Sequence, residues 1–377
     1  MSLSSRIDDE RPLNVPDEWR ARQVIRGDES ETVTGPMPPV DNDADLLREF
    51  GYDPDEVEIV GTINQWRKQL PNGEWRVSYY FKHRPKSSGL DLPALYEAAR
   101  KKPRKRIDGD TIPRTTVVVL ADVQAGKTAH RGGTPELVER LFDKRVALDS
   151  HLKSTRPENL VLAEAGDLFE NFESGGNPMF TNDLSLSQQM DLAATEVYEF
   201  VKLMTRYGHV DVMCVPSNHT AWRNGKQNLG NPQDDLGIFV HQQVEKIANA
   251  AGLDATWHYP APYDESLVFD IRGTVMGMAH GNQFSPGQAP VWWAKQQHGG
   301  QPVGSADILV TGHYHHLSVL PSGRNPYSGK AKWWLQAPTL DNGSDWYRHR
   351  AGDDSDPGLL VFDVTNDGFD LQSLTVL

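Results

Sequence analysis

The sequence predicts a layered α/β fold preceded by a small α+β module. Two observations carry this. From about residue 115 onward, short apolar strands alternate with segments of helical periodicity. Ahead of them, two alternating segments flank an Asn72-Gly73 turn signal. The chain has 377 residues, enough for one large core and an appendage.

The elements follow in order. Residues 1–43 are polar, rich in Asp, Glu and Pro, and read as an extended or disordered arm. Residues 44–83 form the α+β module. There ADLLREFGY places apolar residues at helical spacing, ending at Gly51, and EVEIVGTINQW and EWRVSYYFK alternate as strands. Trp66, Trp75, Tyr79, Tyr80 and Phe81 belong to this module and read as exposed-type aromatics. Residues 84–113 read as a basic linker, with a short helix LPALYEAARKK running into RKKPRKR. The main domain is 114–377. Strands are expected at 116–121, 159–163, 210–215, 267–271, 274–279, 307–311, 332–337, 358–363 and 369–376, and helices at 135–152, 185–206 and 234–250. Thr134 is the expected cap of the first of these helices, with Pro135 at its first position.

Composition narrows the function. No stretch approaches the roughly 20 apolar residues that span a bilayer, and the N-terminus lacks the apolar core of a signal peptide. The single cysteine, Cys214, excludes an internal disulfide and fits a reducing compartment, so a cytoplasmic protein is expected. A net charge of −14 argues against coating nucleic acid by bulk charge. The local run Arg100, Lys101, Lys102, Arg104, Lys105 and Arg106 runs the other way and is the candidate nucleic-acid contact. Its bland alternative is a solvated linker.

Five stretches each place a carboxylate, amide or imidazole at or just past the end of an expected strand. They are Asp122 and Gln124 in ADVQAGK, Asp167 in AGDLFEN, Asn218-His219 in PSNHTAW, His280 in MAHGNQF, and His313 with His315 in TGHYHH. Open α/β sheets build sites at the carboxyl ends of their strands, so the five can converge. Asp and His bind Zn, Mn and Fe, while carboxylate and amide oxygens favour Mn and Mg. Two such ions about 3.5–4 Å apart can clamp a phosphoryl group and lower the pKa of a bound water. Taken singly each residue has a dull explanation: an Asp after a strand is usually a turn or cap, and a lone His is usually a hydrogen-bonded one. His316 is read as structural and His130 as a surface-loop histidine. The pairs Trp292-Trp293 and Trp333-Trp334 could stack on bases, but read first as core packing.

The ordered set resembles the calcineurin-like metallophosphoesterases, whose pattern is D-x-H, G-D-x-x-D/E, G-N-H-D/E, a lone H, and G-H-x-H. Here the corresponding residues are Asp122-Val123-Gln124, Gly166-Asp167 through Glu170, Ser217-Asn218-His219-Thr220, His280-Gly281, and Gly312-His313 through His315, over about residues 115–340. The resemblance implies a layered α/β/β/α sandwich and two divalent ions, Mn foremost, with Mg, Zn or Fe as alternatives. Asp122, Gln124 and His315 would serve the first ion, and Asn218, His280 and His313 the second. Asp167 would bridge them, and His219 would contact the scissile phosphate. Hydrolysis by a metal-bound hydroxide is implied.

Three departures stand out: Gln124 for the usual His, Ser217 for Gly, and Thr220 for an acid. The last removes a partner for His219. Motif spacing is similar to the DNA-repair exonuclease branch, and the overall plan resembles metallophosphoesterases of bacteriophages. The expectation is therefore a phosphodiesterase acting on nucleic acid, a nuclease, with no membrane partner and homo-oligomerisation left open. The rivals are a small-molecule phosphatase or nucleotide phosphodiesterase, with segment 171–184 as a lid, and a weakly catalytic binding or scaffold protein on the same fold.

Overall fold

Apolar residues at period two and period 3.6 dictate where each element packs, and the computed structural model shows the result. It describes residues 22–26, 29–55, 57–70, 72–85, 111–172, 181–224, 227–345, 348–349, 352 and 355–377. The basic run 100–106, the helix expected before it and most of the segment proposed as a lid lie outside the described residues. The chain divides into two units, Met1–Gly89 and Leu90–Leu377.

The first unit contains β1 (Arg22–Arg26), β2 (Glu29–Val33), α1 (Asp43–Glu49), β3 (Val57–Gln69) and β4 (Trp75–Pro85). The strands form one antiparallel sheet in the order β1-β2-β4-β3. Residues 22–33, expected to belong to an arm, are thus paired strands. Their polar sequence hides them, and backbone pairing, β1 to β2 and β2 to β4, defines them. Asn42 caps α1, its side chain accepting from the Asp45 N–H at 2.9 Å. Leu46 and Leu47 of α1 then pack on Val77, Tyr79 and Phe81, the alternate residues of β4. Trp66 and Trp75 stay exposed.

The second unit runs β5 (Ile112–Leu120), α2 (Thr134–Thr155), β6 (Pro157–Glu164), α3 (Leu186–Met204), β7 (Val210–Cys214), a minimal hairpin β8 (Arg223–Asn224) and β9 (Gln227–Asn228), α4 (Leu236–Ala251) and β10 (Ala255–His258). It continues β11 (Ser266–Ile271), β12 (Thr274–Ala279), α5 (Ala289–His298), β13 (Ile308–Thr311), β14 (Ser318–Arg324), β15 (Ala331–Gln336), β16 (Leu360–Thr365) and β17 (Gly368–Val376). The strands make two sheets, β10-β7-β6-β5-β16-β17 and β11-β12-β13-β15-β14. Within them β5, β6, β7 and β10 are parallel, as are β12, β13 and β15.

Alternation along β5 and β6 sets the layers. Val118, Leu120, Leu160 and Leu162 face a core shared with α2, α3 and α4. Val117, Val119, Val161 and Ala163 face the other way, against Met276, Met278, Ile308 and Val310 of the second sheet. The far side of that sheet is covered by α5 through Trp293, which packs with Leu309 and Trp334. The order is α/β/β/α. Trp293 and Trp334 are fully buried, which rules them out as base-stacking platforms. Trp292 packs against Phe284 and Trp333 against Phe369. The cap of α2 is Gly133, whose N–H is met by Glu136 at 2.8 Å. Thr134 instead turns its hydroxyl to Asp183 at 2.6 Å. No helix among the described residues is long and apolar enough to cross a membrane.

Candidate metal centre

The five stretches occupy the loops that follow β5, β6, β7, β12 and β13, and the parallel strands carry them to one locus. The backbone there is unusual. Asp122, Gln124, Asp167, His313 and His315 have φ of 49°, 46°, 53°, 72° and 61°. A left-handed conformation costs a non-glycine residue on the order of 1 kcal/mol or more, so neighbouring bonds must hold it. The His313 N–H donates to both Asp122 carboxylate oxygens, at 3.1 and 2.9 Å. The Asp122 N–H donates to the Gly166 carbonyl at 3.1 Å, and that of Gln124 to the Asp167 carbonyl at 2.9 Å. The two glycines admit this packing. A Cβ on Gly166 would lie 2.5 Å from His280 Nδ1, and one on Gly312 would lie 2.6 Å from Asp122 Oδ2.

Ligand atoms of Asp167, His280 and His313 lie within 4.8 Å of one another. His280 Nε2 is 3.1 Å from Asp167 Oδ2, 2.9 Å from Asn218 Oδ1 and 3.2 Å from His313 Nδ1. Its Nδ1 sits 2.8 Å from the Ala165 carbonyl, an acceptor. Nδ1 must therefore carry a proton, and a neutral His280 directs its Nε2 lone pair into the cluster. One carboxylate, one amide oxygen and two imidazoles, with Asp167 and His280 buried and Asn218 and His313 half-buried, form a donor set that fits a divalent ion such as Mn, Fe or Zn.

Charge in the cluster is balanced by protons. Burial opposes a charged His280, but the Asp167 carboxylate outweighs it and pushes the pKa up to about 9. Burial, then the His280 ring, lowers His313 to about 4. Burial also opposes ionisation of Asp167, yet His219 and His280 hold its carboxyl well below the usual range.

His219 is placed by two loops. Its N–H donates to Asp167 Oδ1 at 3.0 Å. Its Nδ1 faces Glu170, at 2.9 Å from the carbonyl and 3.3 Å from Oε2. The partner expected to be lost with the acid at position 220 is thus supplied by Glu170. Against the cost of burial, Asp167 and Glu170 push the His219 pKa up to about 9. Both departures in this loop, Ser217 and Thr220, make bonds of their own. Ser217 Oγ accepts from the Asp167 N–H at 2.9 Å, and Thr220 Oγ1 donates to Asp235 Oδ2 at 2.8 Å. Asp235 also caps α4, accepting from the N–H groups of Gly237 and Ile238 at 2.7 and 3.0 Å. Burial raises its pKa to about 6 in spite of those bonds.

The other half of the site is different. Asp122 Oδ1 lies 3.5 Å from His315 Nε2, and His315 Nδ1 lies 3.4 Å from Asp341 Oδ2. Lys127 donates to Gln124 Oε1, and to Asp341 Oδ2 at 2.6 Å. Neither Lys127 nor Asp341 was legible as a site residue. Asp341 follows β15, so the strand-end rule that flagged the other five stretches applies to it too. His316 turns its Nδ1 to the Tyr314 carbonyl at 2.8 Å, outside the cluster.

No family model and no curated protein matches the sequence. Solved structures with some likeness exist. A conserved uncharacterized protein of Streptococcus pneumoniae, a predicted phosphoesterase, aligns over 71% of this chain and 99% of its own, with 13% identity and a TM-score of 0.27. Vps29 of Chaetomium thermophilum, complexed with a cyclic peptide, aligns over 70% and 94%, with 8% identity and a TM-score of 0.29. A Staphylococcus aureus protein provisionally assigned as a 5'-nucleotidase, in complex with alpha-ketoglutarate, aligns over 70% and 54%, with 11% identity and a TM-score of 0.29. At these values the likeness carries nothing about chemistry, which rests on the side chains alone.

Proposed function

We propose that this chain is a metal-dependent phosphoesterase, and within that class a phosphodiesterase that cleaves nucleic acid. One observation supports it above others: Asp167, Asn218, His280 and His313 converge beside His219, whose ring is braced by Glu170. A divalent ion at that set would polarise a phosphoryl oxygen. The chain's own residues do the rest. His219 Nε2 lies 3.7 Å from Asp167 Oδ2, and a proton held there can pass to a departing ester oxygen. Glu170 keeps the ring charged and oriented through Nδ1. Asp167 fixes the loop by accepting the His219 N–H. Mn is the proposed ion, because the set mixes oxygen donors with imidazole.

The nucleic-acid assignment rests on the basic run 100–106, on the exposed Trp66 and Trp75 of the first unit, and on general principle. Lys and Arg follow a phosphate backbone and aromatic faces stack on bases. The test is hydrolysis of a generic phosphodiester, a phosphomonoester and labelled single- and double-stranded DNA by stripped protein reloaded with Mn, Mg or Zn. Mn-dependent DNA cleavage, lost in His313→Ala, is expected. Absence of turnover with every ion and substrate would leave a binding protein on this fold.

A second reading has its own observation. An open groove lies beside the His219 loop, lined by Ser217, Trp222, Arg223, Asn282 and Gln283 among others, with Trp222 half in solvent. An indole face and a guanidinium suit a single nucleoside phosphate as well as a strand. Turnover of small nucleotide esters with intact DNA would favour this reading.

A further inference from the structure

The two halves of the site are not alike in what they can hold. Around Asp167 the donor atoms point at one another, and among the described residues no lysine or arginine bonds to them. Around Asp122 there is one. Lys127 is buried, and its ammonium donates to Gln124 Oε1 and to Asp341 Oδ2, the latter at 2.6 Å. Gln124 has a single oxygen with which to ligate a metal, and that oxygen already faces the ammonium. Asp341 is fully buried, and its Oδ2 is shared between Lys127 and His315.

The lysine is fixed from both ends of its backbone. Its N–H donates to the Gln124 carbonyl at 3.0 Å, and its carbonyl accepts from Asn342 Nδ2 at 2.8 Å. The loop carrying Asp341 is pinned in turn. Arg140 Nη1 donates to the carbonyls of Leu340 and Asp341, both at 3.1 Å, and Thr339 Oγ1 donates to the Asp122 carbonyl at 2.9 Å. With its Nζ 2.6 Å from the buried Asp341 carboxylate, the side chain is an ion-paired ammonium. An ammonium placed on the oxygens a second dication would need repels that dication and compensates the same carboxylates.

We propose that Lys127 is the resident cation of the Asp122–Gln124–His315 half, so that the chain binds one divalent ion, at Asp167, Asn218, His280 and His313, rather than two. This rests on the metal-binding reading above and changes its stoichiometry. Gln124 then has a physical reason. A neutral amide oxygen accepts from an ammonium, whereas an imidazole at that position would offer its lone pair to a metal.

The test is a metal count on the full-length chain, loaded with Mn(II), desalted and measured by plasma emission. The wild type is expected to hold one ion per chain and His313→Ala none. Lys127→Met combined with Gln124→His is expected to hold two. Two ions in the wild type would overturn the proposal, whether or not the double variant folds. So would one ion retained by His313→Ala, because the ion would then sit in the other half. One ion in a double variant with native circular dichroism would also overturn it. No ion in the wild type would remove the metal reading together with this proposal. A wild type holding one ion, lost in His313→Ala, would keep the metal reading even where the double variant fails to gain a second.

Discussion

At the scale of single residues, the site is governed by which protons a metal must displace. His280 has a folded pKa of about 9, above the ordinary value of 6.5, because Asp167 faces it. The stabilisation from that pair is fully present below about pH 6.5 and is lost as pH rises through about 9. A metal needs the neutral ring, so binding should release protons and tighten as pH climbs toward 9. Titration calorimetry in two buffers of different ionisation enthalpy measures this; equal apparent heats at pH 7 would contradict it. His219 obeys the same sign through Asp167 and Glu170. Glu170→Gln should lower its pKa and move the midpoint of its ring titration, read by NMR, to lower pH. The variant should lose about 1.5–3 kcal/mol of stability at pH 6 and much less at pH 10, where the ring is neutral in both proteins. Unchanged titration would remove Glu170 as the partner of His219.

At the scale of elements, each loop of the site is tied to the element that follows or faces it. Asp235 is the clearest case, since one carboxylate caps α4 and holds Thr220 in the loop after β7. Asp235→Ala should cost about 0.5–2 kcal/mol from the cap, more once the loop loosens, and weaken metal affinity as well. Asp235→Asn, which keeps an acceptor, should recover most of the stability. Thermal unfolding with and without Mn separates the two effects. The glycine turns are the second case. Gly166→Ala meets both a φ of +97° and a Cβ contact of 2.5 Å with His280 Nδ1, so it should abolish metal binding while leaving the far sheet intact. Wild-type affinity in that variant would show that the loop relaxes freely.

At the scale of the molecule, the charge distribution is what a nucleic-acid substrate would read. The chain carries −14 overall against a local run of six Lys and Arg residues at 100–106. Reversing Lys101, Lys102 and Lys105 to Glu in the full-length chain should weaken DNA binding severalfold or more and flatten its salt dependence. Hydrolysis of a small diester should be unchanged. Fluorescence anisotropy across a salt series gives the slope, and an identical slope would argue for a small-nucleotide substrate.

Much of this architecture is legible in the amino-acid sequence because it is local. Alternation in TTVVVL and NLVLAE identifies strands with two buried faces, and the polar groups just past their ends mark where a site can form. The strands β1, β2 and β14 are not legible, since RQVIR and ESETV are mostly polar and SVLPSGR lacks a buried face, and pairing with a neighbouring strand holds all three extended. The helix α5, APVWWAKQQH, mixes aromatic and polar residues without a clear stripe, and only its dock onto the second sheet explains it. By itself the sequence determined the layered α/β core, the order of the strand-end motifs and the residue types available to a metal. Only the tertiary structure decided that Glu170 serves His219, that Thr220 reports to Asp235, and that Lys127 meets Asp341 across 214 residues. The physical reason is range. Periodicity and strand ends are fixed by neighbours along the chain. Which charge meets which in a buried site depends on sheet register and loop paths that no short stretch encodes.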